Sequence, residues 1–119
     1  MKEKHKIISS IVILLVVTFI AFSPTLKNGF TNWDDQIMVT QNEKIMSLSW
    51  SSVKTMFTSV HERLYHPLVL ISYALEYHFF KLDPTAFHVT NLIFHLLSTL
   101  LVFWFIFMLS RKMSVALIT

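Results

Sequence analysis

The sequence predicts an all-α membrane protein with two transmembrane helices, the start of a third, and an external loop containing short interfacial helices. Of the 119 residues, 54% are hydrophobic, and the mean hydropathy of +0.57 is high for a soluble domain of this size. Residues 7–26 and 84–110 contain no Asp, Glu, Lys or Arg. Each stretch reaches the roughly 20 residues that a helix needs to cross the hydrocarbon.

The first apolar stretch has a second interpretation, as a cleaved secretory signal. Residues 1–6 form a basic start, and Ala21 and Ser23 are small residues at a plausible cleavage spacing. Pro24 would then follow the cut, which is a poor position for signal peptidase. Retention of residues 7–26 as a transmembrane helix is therefore favoured.

The charges predict how the chain is oriented. Residues 1–6 carry three lysines and one glutamate, and Arg111 and Lys112 follow the second apolar stretch. Residues 27–83 carry five Lys or Arg against six Asp or Glu. Basic flanks stay in the cytoplasm, so residues 1–6 and 111–119 are predicted to be cytoplasmic and residues 27–83 external.

Several wider expectations follow from this topology. The basic pI reflects orientation in the membrane, so nucleic acid is not expected as a partner. Residues 113–119 are apolar and resemble the start of a third span, so the chain is expected to be the N-terminal part of a longer multi-pass protein. The absence of cysteine leaves the compartment open. A bacterial inner membrane is favoured over the endoplasmic reticulum.

Helix-start signals divide the external loop. Ser49 is a suitable N-cap for a helix over about 50–57, and Pro67 suits the first position of a helix over about 67–80. The second helix is apolar almost all round except for Ser72 and Glu76, which are four residues apart and share a face. It is too short to cross a bilayer and is expected at the membrane interface. Asp83 can cap the helix over 84–110.

The helix over 84–110 carries a polar stripe at spacings of three, four and three residues, formed by His88, Asn91, His95 and Ser98. Polar groups at membrane depth are costly unless they face protein or water. The stripe is therefore expected to pack against further transmembrane spans.

The candidate chemical groups lie in the loop. Asp34 and Asp35 are adjacent carboxylates that could act as a general base, hold a divalent metal ion, or form a solvated turn. Arg63 and His66 flank Tyr65 and could bind an anion, or be exposed charges without a ligand. A zinc or haem site is disfavoured because cysteine is absent and no histidine pair has the i, i+4 spacing.

A series of short motifs in a fixed order resembles the N-terminal part of the membrane-embedded GT-C glycosyltransferases. Within this family, the motifs resemble the protein O-mannosyltransferase-like and transmembrane-plus-TPR types. The resemblance covers about residues 10–119. Its motifs are the segments 28–35 (NGFTNWDD), 48–50 (LSW), 65–68 (YHPL), 72–77 (SYALEY) and 87–97 (FHVTNLIFHLL).

The resemblance implies an inverting enzyme that takes a sugar from a polyprenyl-phosphate donor and passes it to a hydroxyl acceptor, on a protein or a glycolipid, at the external or lumenal face. Asp34 matches the catalytic base of the family's first external loop, and Asp35 matches its neighbour. The apolar segment 67–80 would suit a prenyl chain. Related sequences often have arginine at the position of His66, which leaves a phosphate-binding role for this histidine open because histidine is cationic only when protonated.

Members of this family have many more spans, and some carry C-terminal TPR repeats. The remaining spans are therefore expected as partners, together with the sugar donor and membrane lipid, and this chain alone is expected to be inactive. The alternative is a small two-span membrane protein whose external loop binds a partner without catalysis.

Overall fold

A computed structural model describes residues 2–119, so Met1 of the predicted cytoplasmic segment lies outside the described residues. Five α-helices follow in order: α1 (Lys2–Phe22), α2 (Trp50–Thr58), α3 (Pro67–Phe80), α4 (Pro84–Ser110) and α5 (Met113–Ile118). No β-strand occurs within residues 2–119, where His61 and Leu64 form one isolated bridge. The predicted all-helical class is confirmed. The chain divides into two compact units, a span unit (1–27 and 88–119) and a loop unit (28–87).

The span unit contains the first predicted apolar stretch and residues 88–110 of the second. Within residues 2–119, two helical segments are long and apolar enough to cross a membrane, Lys4–Lys27 and Pro84–Ser110. The first is α-helical to Phe22 and continues as a 3₁₀ turn over Ser23–Lys27. Pro24 accounts for this change, because proline lacks the N–H that an α-helix requires.

The polar stripe of α4 lies beside the end of the first segment within the span unit. The rings of His95 and Phe22 meet edge to face, with 4.3 Å between centroids. A cavity of about 300 Å³ is lined by Phe22, Thr25, His88, Asn91, Leu92 and His95. His88 Nε2 is buried there without a hydrogen-bond partner. One polar atom of the stripe therefore receives no hydrogen bond from any described residue. Packing of the stripe against further spans stays a prediction.

The loop unit has its own hydrophobic core. Apolar side chains from the segments before α2, from α2, from α3 and from the first turn of α4 meet in one buried cluster: Val39, Ile45, Met56, Leu70, Ala74 and Phe87. The face of α3 that carries Leu70 and Ala74 packs into this core. The opposite face leaves Leu68 and Phe79 exposed, at 73% and 71% of their surface.

Local capping explains where the helices of the loop unit begin. Ser49 Oγ accepts a hydrogen bond from Ser52 N at 3.1 Å at the start of α2. Asp83 Oδ1 accepts one from Thr85 N at 3.0 Å at the start of α4. Both predicted caps are confirmed. Ser72 Oγ donates to Glu76 Oε1 at 3.1 Å, as expected for residues that share a helix face.

Two short helices precede α2 and did not follow from the sequence pattern. A π-helix spans Gln36–Thr40, and a 3₁₀ turn spans Glu43–Ile45. The buried Asn42 joins them, because its Nδ2 donates to Met38 O at 2.9 Å and its Oδ1 accepts from Lys44 N at 3.1 Å. These bonds place Val39 and Ile45 in the core and hold the acidic pair just before the π-helix.

Candidate functional site

The two adjacent carboxylates have different surroundings. Asp35 Oδ2 accepts two hydrogen bonds from Thr31, one from its backbone N at 2.7 Å and one from Oγ1 at 3.1 Å. Asp34 is exposed, and its carboxylate has no hydrogen-bond partner among residues 2–119. The structure therefore has one carboxylate fixed by its own loop and one available to a ligand.

The segment just before α3 supplies a second group of site residues. Tyr65 donates its hydroxyl hydrogen to Phe57 O at 3.1 Å, so this phenol is used to hold the loop unit together. His66 is half-buried, and its Nε2 is buried without a hydrogen-bond partner. The rings of His61 and His66 meet edge to face at 6.2 Å.

These two segments line one open cleft of about 380 Å³ in the loop unit. This volume lies in the range of roughly 300–1,000 Å³ that is common for small-molecule sites. The cleft brings together four of the five residues predicted from the sequence and adds four others. Its lining consists of Asp34, Asp35, Met38, Leu64, Tyr65, His66, Val69 and Tyr73.

Arg63, the fifth predicted residue, does not line this cleft. It lies at the tip of a tight turn in which His61 N donates to Leu64 O at 3.0 Å and Leu64 N donates to His61 O at 2.8 Å. Glu62 and Arg63 occupy the two central positions with φ of 48° and 65°, the left-handed conformation of a type I′ turn. Arg63 is exposed there, so the lining of the cleft contains no Lys or Arg.

Four lining residues were not among the predicted site residues, and Tyr73 is the one of these four with a polar side-chain atom. Burial raises the pKa of its phenol above the usual 10.0, and the nearby carboxylates of Glu76 and Asp35 raise it further. Its ring lies 5.8 Å from the ring of Phe87, which ties it to the core. A sequence signal was available, because Val69 and Tyr73 are four residues apart and share one face of α3, which begins directly after His66.

A divalent cation in this cleft would have Asp34 and Asp35 as its protein ligands. Within residues 2–119 no group of three or more His, Cys, Asp or Glu side chains is arranged to hold a metal ion. One oxygen of Asp35 already accepts two hydrogen bonds from Thr31. The loop unit alone therefore supplies an incomplete coordination shell, since hard divalent cations take about six or more oxygen ligands.

Comparison of the chain with protein families, with curated proteins and with solved structures gives no match. An exposed carboxylate beside a fixed one, in a cleft whose lining contains no Lys or Arg, can accept hydrogen bonds from hydroxyl groups and can take a proton from one of them.

Proposed function

We propose that this chain is the N-terminal part of a multi-pass GT-C-type membrane glycosyltransferase that transfers a sugar, with inversion, from a polyprenyl-phosphate donor to a hydroxyl acceptor. The observation that carries the proposal is the unpartnered carboxylate of Asp34 in the cleft, beside the fixed carboxylate of Asp35. The ordered motifs that resemble this family add to it. A bacterial inner membrane, with the cleft on its external face, is the proposed setting.

In the proposed reaction, Asp34 takes the proton from the acceptor hydroxyl as the acceptor oxygen bonds to the anomeric carbon of the sugar. The bond from that carbon to the phosphate oxygen breaks, and its electron pair leaves with the polyprenyl phosphate. The sugar carries oxocarbenium-like positive charge in the transition state, which a nearby carboxylate stabilises, as in glycoside hydrolysis. Asp35, held by two hydrogen bonds from Thr31, would add negative potential beside Asp34.

The exposed apolar face of α3 suits a lipid-linked donor. Leu68, Phe79 and Phe80 expose 73%, 71% and 57% of their surfaces, which is unfavourable in water and favourable against acyl or prenyl chains. The two long apolar helices would anchor the loop unit at the membrane. Further spans of the same protein would cover the polar stripe of α4.

The test is transfer of radiolabelled hexose from a polyprenyl-phosphate hexose in membranes that contain the complete protein. General-base catalysis contributes about 10²–10⁴-fold, so Asp34→Asn is expected to reduce transfer by that factor at matched expression. Glu43→Gln is the matched control, because Glu43 is an exposed acid of the same unit that does not line the cleft. Unchanged transfer by Asp34→Asn would exclude Asp34 as the base.

A non-enzymatic role as a partner-binding membrane protein is the second candidate. Trp33 and Trp50 of the loop unit are 81% and 82% exposed, and tryptophan is enriched at the centres of protein interfaces. Absence of hexose transfer by the wild-type protein, together with capture of one defined protein that Trp33→Ala and Trp50→Ala abolish, would favour this role over catalysis.

A further inference from the structure

Tyr73 differs from the other phenol of the cleft in what its hydroxyl contacts. The Tyr65 hydroxyl donates a hydrogen bond to Phe57 O at 3.1 Å. The Tyr73 hydroxyl has no hydrogen-bond partner among residues 2–119, although its ring is held by Phe87 and by the hydrophobic core. The Tyr73 hydroxyl is therefore a hydrogen-bond donor that the core holds in position on the wall of the cleft and that is available to a ligand.

The charge of the cleft limits what this donor can meet. The lining contains the carboxylates of Asp34 and Asp35, the imidazole of His66, and no Lys or Arg. A phosphate placed beside the two carboxylates would be repelled by both, and the repulsion is stronger near a protein surface than in bulk water. An uncharged ligand with several hydroxyl groups avoids this repulsion and can donate hydrogen bonds to the carboxylates.

The protonation state of Tyr73 suits such a ligand. Burial, Glu76 and Asp35 all raise the pKa of its phenol above 10.0, so the hydroxyl keeps its hydrogen near neutral pH and can donate it. The lining also contains the apolar side chains of Met38, Leu64 and Val69. They can pack against the C–H face of a pyranose ring, while the polar groups meet its hydroxyls.

We propose that the cleft is the subsite for the uncharged sugar ring, not for the lipid phosphate, and that the Tyr73 hydroxyl donates a hydrogen bond to a hydroxyl of that ring. The identity of the ligand rests on the glycosyltransferase function proposed above. The contact itself rests on the free hydroxyl of Tyr73 and on the charge of the lining.

The test is ligand-observed NMR titration of the full chain in phospholipid nanodiscs with methyl α-D-mannopyranoside and methyl α-D-glucopyranoside. Loss of one hydrogen bond costs about 0.5–1.5 kcal/mol of binding free energy, so Tyr73→Phe is expected to raise the Kd about 2- to 13-fold. The phenylalanine ring should keep the place of the tyrosine ring in the core. Tyr77→Phe is the matched control, because it is the same change one turn further along α3 and away from the cleft. It should leave the Kd unchanged.

Two further measurements separate a contact from a structural effect. One monodeoxy glycoside lacks the hydroxyl that Tyr73 contacts. Tyr73→Phe and the wild type should bind this glycoside with the same Kd, because neither complex contains the hydrogen bond. Inorganic phosphate should not displace the glycoside from the wild type. An unchanged Kd in Tyr73→Phe, displacement by phosphate, or absence of glycoside binding to the wild type would each overturn the inference.

The glycoside-binding assay and the hexose-transfer assay test the two proposals separately. Hexose transfer that depends on Asp34, with glycoside affinity insensitive to Tyr73→Phe, would refute the Tyr73 contact alone. Glycoside binding that depends on Tyr73, without transfer by the complete protein, would refute the proposed enzyme and leave the sugar-binding cleft in place.

Discussion

The different surroundings of Asp34 and Asp35 predict that the two carboxylates affect the stability of their loop unequally. Asp35→Ala removes an acceptor that receives two hydrogen bonds from Thr31, at 2.7 and 3.1 Å. Asp34→Ala removes an exposed carboxylate without a hydrogen-bond partner among the described residues. The first change should loosen residues 28–40, and the second should not.

The expected magnitude follows from these contacts. Hydrogen bonds to charged groups are worth about 1.5–3 kcal/mol each, and solvent exposure of Thr31 reduces that value. We therefore expect Asp35→Ala to lower the local opening free energy by about 1.5–3 kcal/mol for the pair of bonds together. Asp34→Ala should stay within about 0.5 kcal/mol of the wild type, as for most surface substitutions.

Thr31→Val separates the two bonds, because it removes the 3.1 Å hydroxyl contact and keeps the 2.7 Å backbone contact. It should cost about 0.5–1.5 kcal/mol in the wild type and close to nothing when Asp35 is already alanine. The difference is the coupling energy of the side-chain pair.

The assay is amide hydrogen exchange, read by mass spectrometry on peptides that cover residues 28–41 in detergent micelles. Exchange in Asp35→Ala should be faster by about 10- to 100-fold, since each 1.4 kcal/mol corresponds to a factor of ten. Equal acceleration in Asp34→Ala and Asp35→Ala would show that the two carboxylates are equivalent. A coupling energy near zero would show that the Thr31 hydroxyl does not hold Asp35.

Three further predictions concern topology, packing and pH. Single cysteines at Ser47 and Thr58 should react with a membrane-impermeant reagent in intact cells, and labelling only after lysis would reverse the assigned orientation. His95→Leu should make the isolated chain more monomeric in detergent and destabilise the complete protein by about 0.6–2 kcal/mol; no change in either would exclude the stripe as an interface. Because the pKa of Tyr73 is raised in the folded state, the contribution of Tyr73 to stability should be fully present below pH 10 and be lost as the pH rises further. In thermal melts, Tyr73→Phe should reduce the loss of stability at high pH.

The helix bounds were the part of the fold most readily predicted, because their causes are local. Ser49, Pro67 and Asp83 mark helix starts through their own hydrogen bonds or fixed φ, and each helix begins at the expected residue. The π-helix over Gln36–Thr40 has no such signal. It depends on Asn42 and on the burial of Val39 in a core made from segments distant in sequence, which the periodicity of one segment does not contain.

The candidate site was partly predictable for a related reason. The acidic pair and the segment around His66 were recognisable as chemical groups, but nothing in their spacing showed that they would line one cleft. The sequence puts Arg63 close to Tyr65 and His66, yet the left-handed turn at Glu62 and Arg63 leaves it outside the lining. The sequence pattern assigns Tyr73 to an apolar helix, and its hydroxyl gains a candidate role only where the folded chain forms the cleft.

The charge of the cleft also constrains where a lipid phosphate would be recognised. Among the cations of the loop unit, Lys44 donates to Ser59 Oγ and Val60 O at 3.2 and 3.3 Å, and Lys81 lies over the Tyr77 ring at 5.1 Å. These two cations are engaged, and no Lys or Arg lines the cleft. If the sugar occupies the cleft as proposed, Arg63, Lys54, a metal ion or further spans would neutralise the phosphate. Inversion puts the acceptor and the leaving phosphate on opposite sides of the anomeric carbon, so a phosphate outside the carboxylate-lined cleft would reduce the repulsion between Asp34 and the departing anion in the transition state.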